Sequence, residues 1–458
     1  MNRHVKKTVI VLIWLCLWQI IAVMVDNPIY FASPLETAIA LVNKIQTIEF
    51  WQSAAGSLIR ILSGFLAAFA LAFIAAFATA KYEWIGEFIA PFVTFLKSVP
   101  VAAVAVILLI WWGPRLLVLC ICLMVVFPNI YLNMRTGILS ADRGLLEMAK
   151  VFDIRARDRF LWIYRPAYLP YLHSAVSVSL GMCFKSGIAA EVIGLPEFSM
   201  GERLYRDKIY LDTAGVFAWV AVVLALSAIT ERLIVRALNA LAKYPAACPE
   251  EVRSSKLPAA GASSGTNSVD IPDGLTVYSE VVRKSYAERV IVDTPLRLEK
   301  GKIYYLPAPS GAGKTTLLKM IADLTPPDSG SIVSGRLTMA FQDDRLVESA
   351  NALRNLELAG CTGDLKDALT QLLPDSALPL TASDLSGGER RRLAAARAIL
   401  HPSDIVIMDE PFAGLDEETA GKTAEWIRKR LNGRTLLFTA HEAGSVSFAD
   451  VEVIRLIS

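Results

Sequence analysis

Histidine is scarce, with 4 in 458 residues, and the 6 cysteines stand apart at positions 16, 120, 122, 183, 248 and 361. Neither a zinc-type ligand quartet nor a disulfide framework can be drawn from them. Charge is thin as well. Asp, Glu, Lys and Arg make up 20% of the chain and nearly cancel to a net +2, where soluble domains carry about 25% charged residues. Binding to nucleic acid by counterion release needs a clear basic excess, so no nucleic-acid partner is expected. What fills the space is apolar: 54% of the residues, above the common ~45–50%. That share excludes a disordered or collagen-like chain.

The excess is uneven. Before residue 245 there are long, almost uncharged apolar runs, and after 270 the sequence reads as a soluble α/β protein. The first run, Thr8–Val25, follows two lysines and an arginine as a signal peptide would. No small-x-small cleavage site follows it, and further runs do. Six membrane helices are predicted, near 8–25, 54–80, 89–112, 116–132, 167–190 and 214–231, most of them near or above the ~20 residues that cross a bilayer core. Lys97 interrupts the third. With the N-terminus inside, the inner segments 1–7, 81–88 and 133–166 hold three, one and seven basic residues, and the outer loops 26–53, 113–115 and 194–213 hold one, one and three. This asymmetry sets the orientation and returns the chain to the cytoplasm at Arg236. Residues 245–270, rich in Pro, Ala, Ser and Gly, read as a flexible tether. The predicted organisation is a membrane domain over 1–244, a linker over 245–270 and an α/β domain over 271–458.

The second half carries the densest chemistry. A β-type run, Gly-Lys-Ile-Tyr-Tyr-Leu, leads into Pro-Ala-Pro-Ser-Gly-Ala-Gly-Lys-Thr-Thr and a helix start. This is a P-loop context: Ser310, Gly311, Ala312, Gly313, Lys314, Thr315 and Thr316 form the candidate phosphate cradle. Backbone N–H groups at a helix N-terminus suit an anion. Lys314 would reach the β/γ-phosphates of ATP, and the Thr315 hydroxyl would reach Mg²⁺. Ala308 stands where the strict pattern begins with Gly. Downstream, Asp-Ile-Val-Ile-Met-Asp-Glu-Pro is a buried strand ending in Asp409, a candidate for Mg²⁺, and Glu410, a candidate for polarising the attacking water. His441 ends a later strand, Thr-Leu-Leu-Phe-Thr-Ala-His, and is placed as a sensor of the γ-phosphate.

With Leu385-Ser-Gly-Gly-Glu-Arg between the P-loop and Asp409, residues 272–458 resemble an ABC-transporter ATPase. The resemblance implies that Gln342, in Met-Ala-Phe-Gln-Asp-Asp, touches Mg²⁺ and reports to the membrane half. It implies that Tyr286 stacks on adenine, although a plain strand aromatic reads as well there. It makes Gly414-Leu-Asp the D-loop, departing from the usual small residue. It also makes Ser386, Gly387 and Gly388 a trans element that closes over ATP held by a second copy. Glu389 to Arg392 read as a solvated charged turn. Only 42 residues separate Gln342 from Leu385, so a trimmed helical subdomain is expected.

In the first half, the segment 143–170, from Glu147-Met-Ala-Lys through Tyr164-Arg-Pro-Ala-Tyr-Leu-Pro, resembles the EAA coupling loop of ABC import permeases. Asp153 and Met148 replace its usual small residues. Ser57-Leu-Ile-Arg, Pro91-Phe-Val-Thr-Phe-Leu-Lys-Ser-Val-Pro and Ala190-Glu-Val-Ile-Gly look like permeases for nitrate, sulfonates, bicarbonate and thiamine precursors. Lys185 and Glu191 are intramembrane charges, either functional or a structural ion pair. The expected fold is an all-α membrane domain followed by an α/β P-loop ATPase. The expected function is import of a small solute across the cytoplasmic membrane, by a homodimer supplied by an extracytoplasmic binding protein. An exporter half-transporter and an ATP-driven signalling assembly remain as alternatives.

Overall fold

A computed structural model describes residues 3–243, 271–286, 289–307, 312–440 and 451–454. The predicted linker, 245–270, lies outside them. The first 243 residues hold α1 (Arg3–Val25), α2 (Pro34–Ile45), α3 (Ile48–Lys81), α4 (Glu83–Ser98), α5 (Val101–Leu139), α6 (Arg143–Val151), α7 (Ala156–Arg159), α8 (Arg165–Gly194), α9 (Met200–Ile209) and α10 (Thr213–Lys243). The chain divides into two compact units. One comprises residues 1–140 and 166–245, the other 141–165 and 246–458.

Before residue 245 the apolar runs become helices long enough to cross a bilayer: Thr8–Val25, Ile48–Lys81, Val101–Leu139, Ala156–Gly194 and Thr213–Ala240. The predicted span 89–112 is broken. Pro100 has no N–H to continue a helix and bars Val99 from the α region, so α4 stops at Ser98 and α5 starts at Val101. Val101–Leu139 is itself two helices that meet at Gly113, whose φ is 73° and ψ 176°. That bend falls in the turn predicted over 113–115.

Small residues set the packing. The buried side of α3 runs through Ser57, Ile61, Gly64, Ala68, Ala72 and Ala76, a spacing that lets helix backbones approach closely. A Cβ on Gly64 would come within 2.7 Å of the Cys122 Cβ on α5, and one on Gly187 of α8 within 2.8 Å of Ile61. Glu191, fully buried, then ties α8 to α3. It accepts from Ser57 Oγ at 2.5 Å and Arg60 Nε at 3.0 Å, and from the Gly201 amide at 3.2 Å. Its ion-pair partner is therefore Arg60, 131 positions away, and not Lys185, its neighbour on α8.

The second unit contains β1 (Leu275–Tyr286), β2 (Arg289–Glu299), β3 (Ile303–Tyr305), α11 (Lys314–Ile321), β4 (Val333–Ser334), β5 (Leu337–Ala340), α12 (Ala352–Leu358), α13 (Leu365–Thr370), α14 (Gly387–Leu400), β6 (Ile405–Met408), α15 (Glu417–Arg430), β7 (Thr435–Phe438) and β8 (Val451–Val453). An antiparallel sheet has the order β2-β1-β4, and a five-stranded sheet the order β5-β6-β7-β3-β8. The second sheet is parallel throughout. Every residue of β6 and β7 is buried, as strands covered on both faces require. Between Gln342 and Leu385 only short helical pieces occur, α12 and α13 with two 3₁₀ turns.

Residues 141–165 pack within this unit. Asp142 caps α6 by accepting from the Gly144 and Leu145 amides at 2.6 and 3.1 Å. Glu147 on α6 meets Arg345 Nη1 at 2.7 Å and Lys319 Nζ, on α11, at 3.5 Å. Phe152 takes the Arg397 guanidinium over its ring at 5.1 Å and the His401 ring edge-on at 5.5 Å. Asp153 has φ 46°, the left-handed conformation that the usual glycine would take with less strain.

Burial pushes the His401 imidazole down from 6.5 to about 4, opposed by a backbone hydrogen bond at Pro402 and by Asp153 and helped by Arg336 and Arg434. A histidine depressed in the folded state contributes stability above its unfolded value of 6.5 and loses it as pH falls toward 4. Acidification from pH 7 to 4 is expected to remove up to about 3 kcal/mol from this unit. Thermal midpoints across that range measure the effect, and His401→Gln should flatten the slope. An equal slope in the variant would assign the acid sensitivity to other groups.

Candidate nucleotide site

Parallel register brings the candidate groups to one edge. Tyr305 of β3 pairs with Phe438 of β7, Phe438 with Met408 of β6, and Met408 with Ala340 of β5. The residues after these four ends emerge together at the carboxyl edge, where open α/β sheets bind ligands. They are the loop into α11, then Thr439, Asp409 with Glu410, and Gln342.

The loop arrives at α11 through Gly313, which has φ 87° and serves as its N-cap. Lys314 is buried at the first helical position. Ala312, Thr315 and Thr316 are half-buried. Ser310 and Gly311 lie outside the described residues, as do Ala308 and His441, and so does the Tyr286 side chain at the end of β1.

Asp409 is 1% exposed and is held at both oxygens. Thr315 Oγ1 donates to Oδ2 at 2.8 Å, and Thr439 Oγ1 donates to Oδ1 at 2.8 Å. The same Thr439 oxygen accepts from the Glu410 amide at 3.0 Å. Glu410 has φ 53°, a strained conformation for a residue with a Cβ, costing about 1–2 kcal/mol. Strain of that kind collects at functional sites. Gln342 Nε2 donates to Glu410 Oε2 at 3.4 Å. Thus Thr315, Asp409, Glu410 and Gln342 converge, while Thr439, absent from the sequence reading, fixes two of them.

Thr439→Val keeps the shape and removes the hydroxyl. The buried Glu410 amide is then unpaired, costing about 1–3 kcal/mol, and the carboxylate is free to turn. The variant is expected to melt lower and to lose kcat for ATP with little change in KM. Wild-type kcat in Thr439→Val would show that Asp409 and Glu410 hold their positions without it.

Ser386, Gly387 and Gly388 sit elsewhere in this unit, at the start of α14. Ser386 and Gly387 are exposed and Gly388 half-buried. Ser386 and Glu389 form a capping box, in which the Ser386 amide and hydroxyl donate to Glu389 Oε2 at 2.8 and 2.7 Å. The Ser386 hydroxyl and amide hold the Glu389 carboxyl below its ordinary range. Glu389 is therefore a cap rather than part of a merely solvated turn, and Ser-x-x-Glu was the signal for it. Farther along α14, the fully buried Arg397 donates to the carbonyls of Arg345 and Asp344 at 2.7 and 2.9 Å. Arg391 donates to the Gln342 carbonyl. The loop carrying Gln342 is thus fastened to the helix that begins at Ser386.

Residues 292–413 match the family described as ABC transporter, and residues 68–241 match the binding-protein-dependent transport system inner membrane component. Among curated relatives, the chain is 34% identical over 184 residues to Nod factor export ATP-binding protein I of Cupriavidus metallidurans, covering 35% of this chain and 61% of that one. It is 37% identical over 166 residues to aliphatic sulfonates import ATP-binding protein SsuB 1 of Rhodococcus jostii, covering 33% and 67%. With SsuB of Escherichia coli O6:H1 it shares 30% over 204 residues, covering 40% and 78%. The chain belongs to the ABC transporter family, with an import-type, multi-pass permease half and an ABC ATPase half on one polypeptide.

Proposed function

We propose that this chain is half of an ATP-driven importer, and that two copies together carry a small solute across the cytoplasmic membrane. In this reading the N-terminus and the ATPase half are cytoplasmic, on the side of the seven basic residues in 133–166. A separate extracytoplasmic binding protein delivers the solute. The observation that carries the reading is the union of a permease-type half with an ATPase that grips residues 141–165 through Glu147, Arg345 and Lys319. Relatives of the ATPase half work in both directions by name, one in Nod factor export and others in aliphatic sulfonate import. The permease half therefore favours import over an exporter half-transporter.

At the ATP site, the loop Ser310–Thr316 cradles the phosphates and Lys314 offsets their charge. Tyr286 is assigned to the adenine. Ser386, Gly387 and Gly388 of the second copy close over the γ-phosphate from a helix start. Glu410 polarises the attacking water, with Gln342 and His441 beside it. Oxygen donors suited to Mg²⁺ meet at Thr315 and Asp409, 2.8 Å apart, with Gln342 as a further donor. When bound, the ion neutralises charge developing on the β/γ-phosphates.

ATPase activity and uptake of labelled alkanesulfonate into proteoliposomes, with and without a candidate binding protein, test this reading. Coupled hydrolysis and uptake are expected. Hydrolysis without uptake of any solute would leave a signalling assembly in place of an importer.

A further inference from the structure

Lys185 lies within the span Ala156–Gly194 and is exposed. The one acid on α8, Glu191, is already held by Arg60 at 3.0 Å, and no ion pair of Lys185 is found among the described residues. Its charge is therefore uncompensated on this unit. The cost of a bare lysine against hydrocarbon is at least about 2.5–3.5 kcal/mol at mid-span. About 14 Å of helix separates Lys185 from Gly194, a long reach for a side chain that escapes to the headgroups.

The face around it is mixed. Exposed positions on α8 follow one stripe, Tyr171, Ser174, Val178, Met182, Lys185, Ala189 and Ile193, in which small and polar side chains are interspersed with larger apolar ones. Gly181 opens beside them, with nothing within 4 Å of where a Cβ would stand. The other side of the helix, with Cys183, Phe184, Gly187 and Ile188, is buried. By contrast, the exposed positions of α1 are large and apolar, among them Ile13 at 60%, Trp14 at 66% and Val23 at 66%. An unpaired cation flanked by Ser174, Gly181 and Ala189, in a stripe that also carries Val178 and Met182, belongs against water.

We infer that this stripe lines a water-filled path and that Lys185 meets the anionic oxygen group, sulfonate or carboxylate, of the solute that passes. Arg60 cannot serve, because Glu191 neutralises it, which leaves Lys185 as the cation available on this face of α8. The inference rests on the importer reading, in which a second copy closes the path and contributes its own Lys185.

Ala189→Cys, one turn from Lys185, reports both water and field. The full chain in phosphatidylcholine nanodiscs is treated with anionic sulfonatoethyl methanethiosulfonate or cationic trimethylammonioethyl methanethiosulfonate. Mass spectrometry of the peptide carrying position 189 follows each rate. Both reagents are expected to react. Adding Lys185→Met should lower the anion-to-cation rate ratio about tenfold, and adding Lys185→Arg should preserve it. An unreactive Cys at 189, or a ratio indifferent to Lys185→Met, would overturn the inference. Either result leaves ATP hydrolysis and uptake by the wild-type chain untouched, so the importer reading fails or survives separately.

Discussion

Glu410→Gln is expected to lower ATP turnover by about 10²–10⁴-fold, the range for removing a general base, while ATP remains bound. The substitution keeps the size of the side chain and its contact with Gln342, which reaches Glu410 Oε2 at 3.4 Å. It should also keep the backbone, since the φ of 53° at this residue is pinned by the Thr439 hydroxyl on its amide. What is lost is the negative charge, and with it the capacity to accept a proton from water. Nucleotide binding should survive because the cradle, Lys314 and the Thr315–Asp409 contact lie outside the change. The measurements are steady-state phosphate release and the nucleotide retained after rapid gel filtration. Hydrolysis at the wild-type rate would move the role of base to another group, and loss of binding would show that the variant disturbs the cradle itself.

What the sequence made legible was local. The P-loop, the carboxylates ending β6 and the Ser-Gly-Gly of α14 are each carried by a few consecutive residues. Apolar runs of four residues before Asp409 and three before Thr439 marked fully buried parallel strands. Once those strands pair in register, their ends have to meet, so the convergence of Thr315, Asp409, Glu410 and Gln342 followed from the motifs. The parts that escaped depend on contacts across long stretches of chain. Thr439 follows directly on an apolar strand, and nothing local says that its hydroxyl serves Asp409, 30 positions earlier. Arg397 lies in an alanine-rich helix turn and reads as an ordinary surface arginine until its donors are found on the Asp344 and Arg345 carbonyls. Glu191 advertised its importance by being charged in an apolar run, yet its partner is Arg60 rather than the nearer Lys185. The broken span at Pro100 was written in the sequence, but hydropathy averaged over it.

Reversing the charge at position 147 should separate hydrolysis from uptake. Glu147 lies on α6 and Arg345 three residues beyond Gln342, and the pair meets at 2.7 Å with the Arg345 side chain 9% exposed and that of Glu147 33% exposed. Arg345 is held from behind as well, since Arg397 of α14 takes its carbonyl. A displacement of the loop carrying Gln342 is therefore felt at Glu147, and the reverse. Glu147→Arg replaces attraction by repulsion at a half-buried contact, for a loss of about 2 kcal/mol, the low end for such pairs, or about 30-fold in the docked population. ATP hydrolysis should persist, while solute moved per ATP falls steeply. Arg345→Glu should act in the same direction. The double exchange should recover only part of the coupling. Lys319, 3.5 Å from Glu147 in the native chain, would then face an arginine. Uptake and phosphate release measured in the same proteoliposomes give the ratio. If each single exchange leaves it unchanged, or the double exchange does no better than the singles, the Glu147–Arg345 contact is not the link between the two halves.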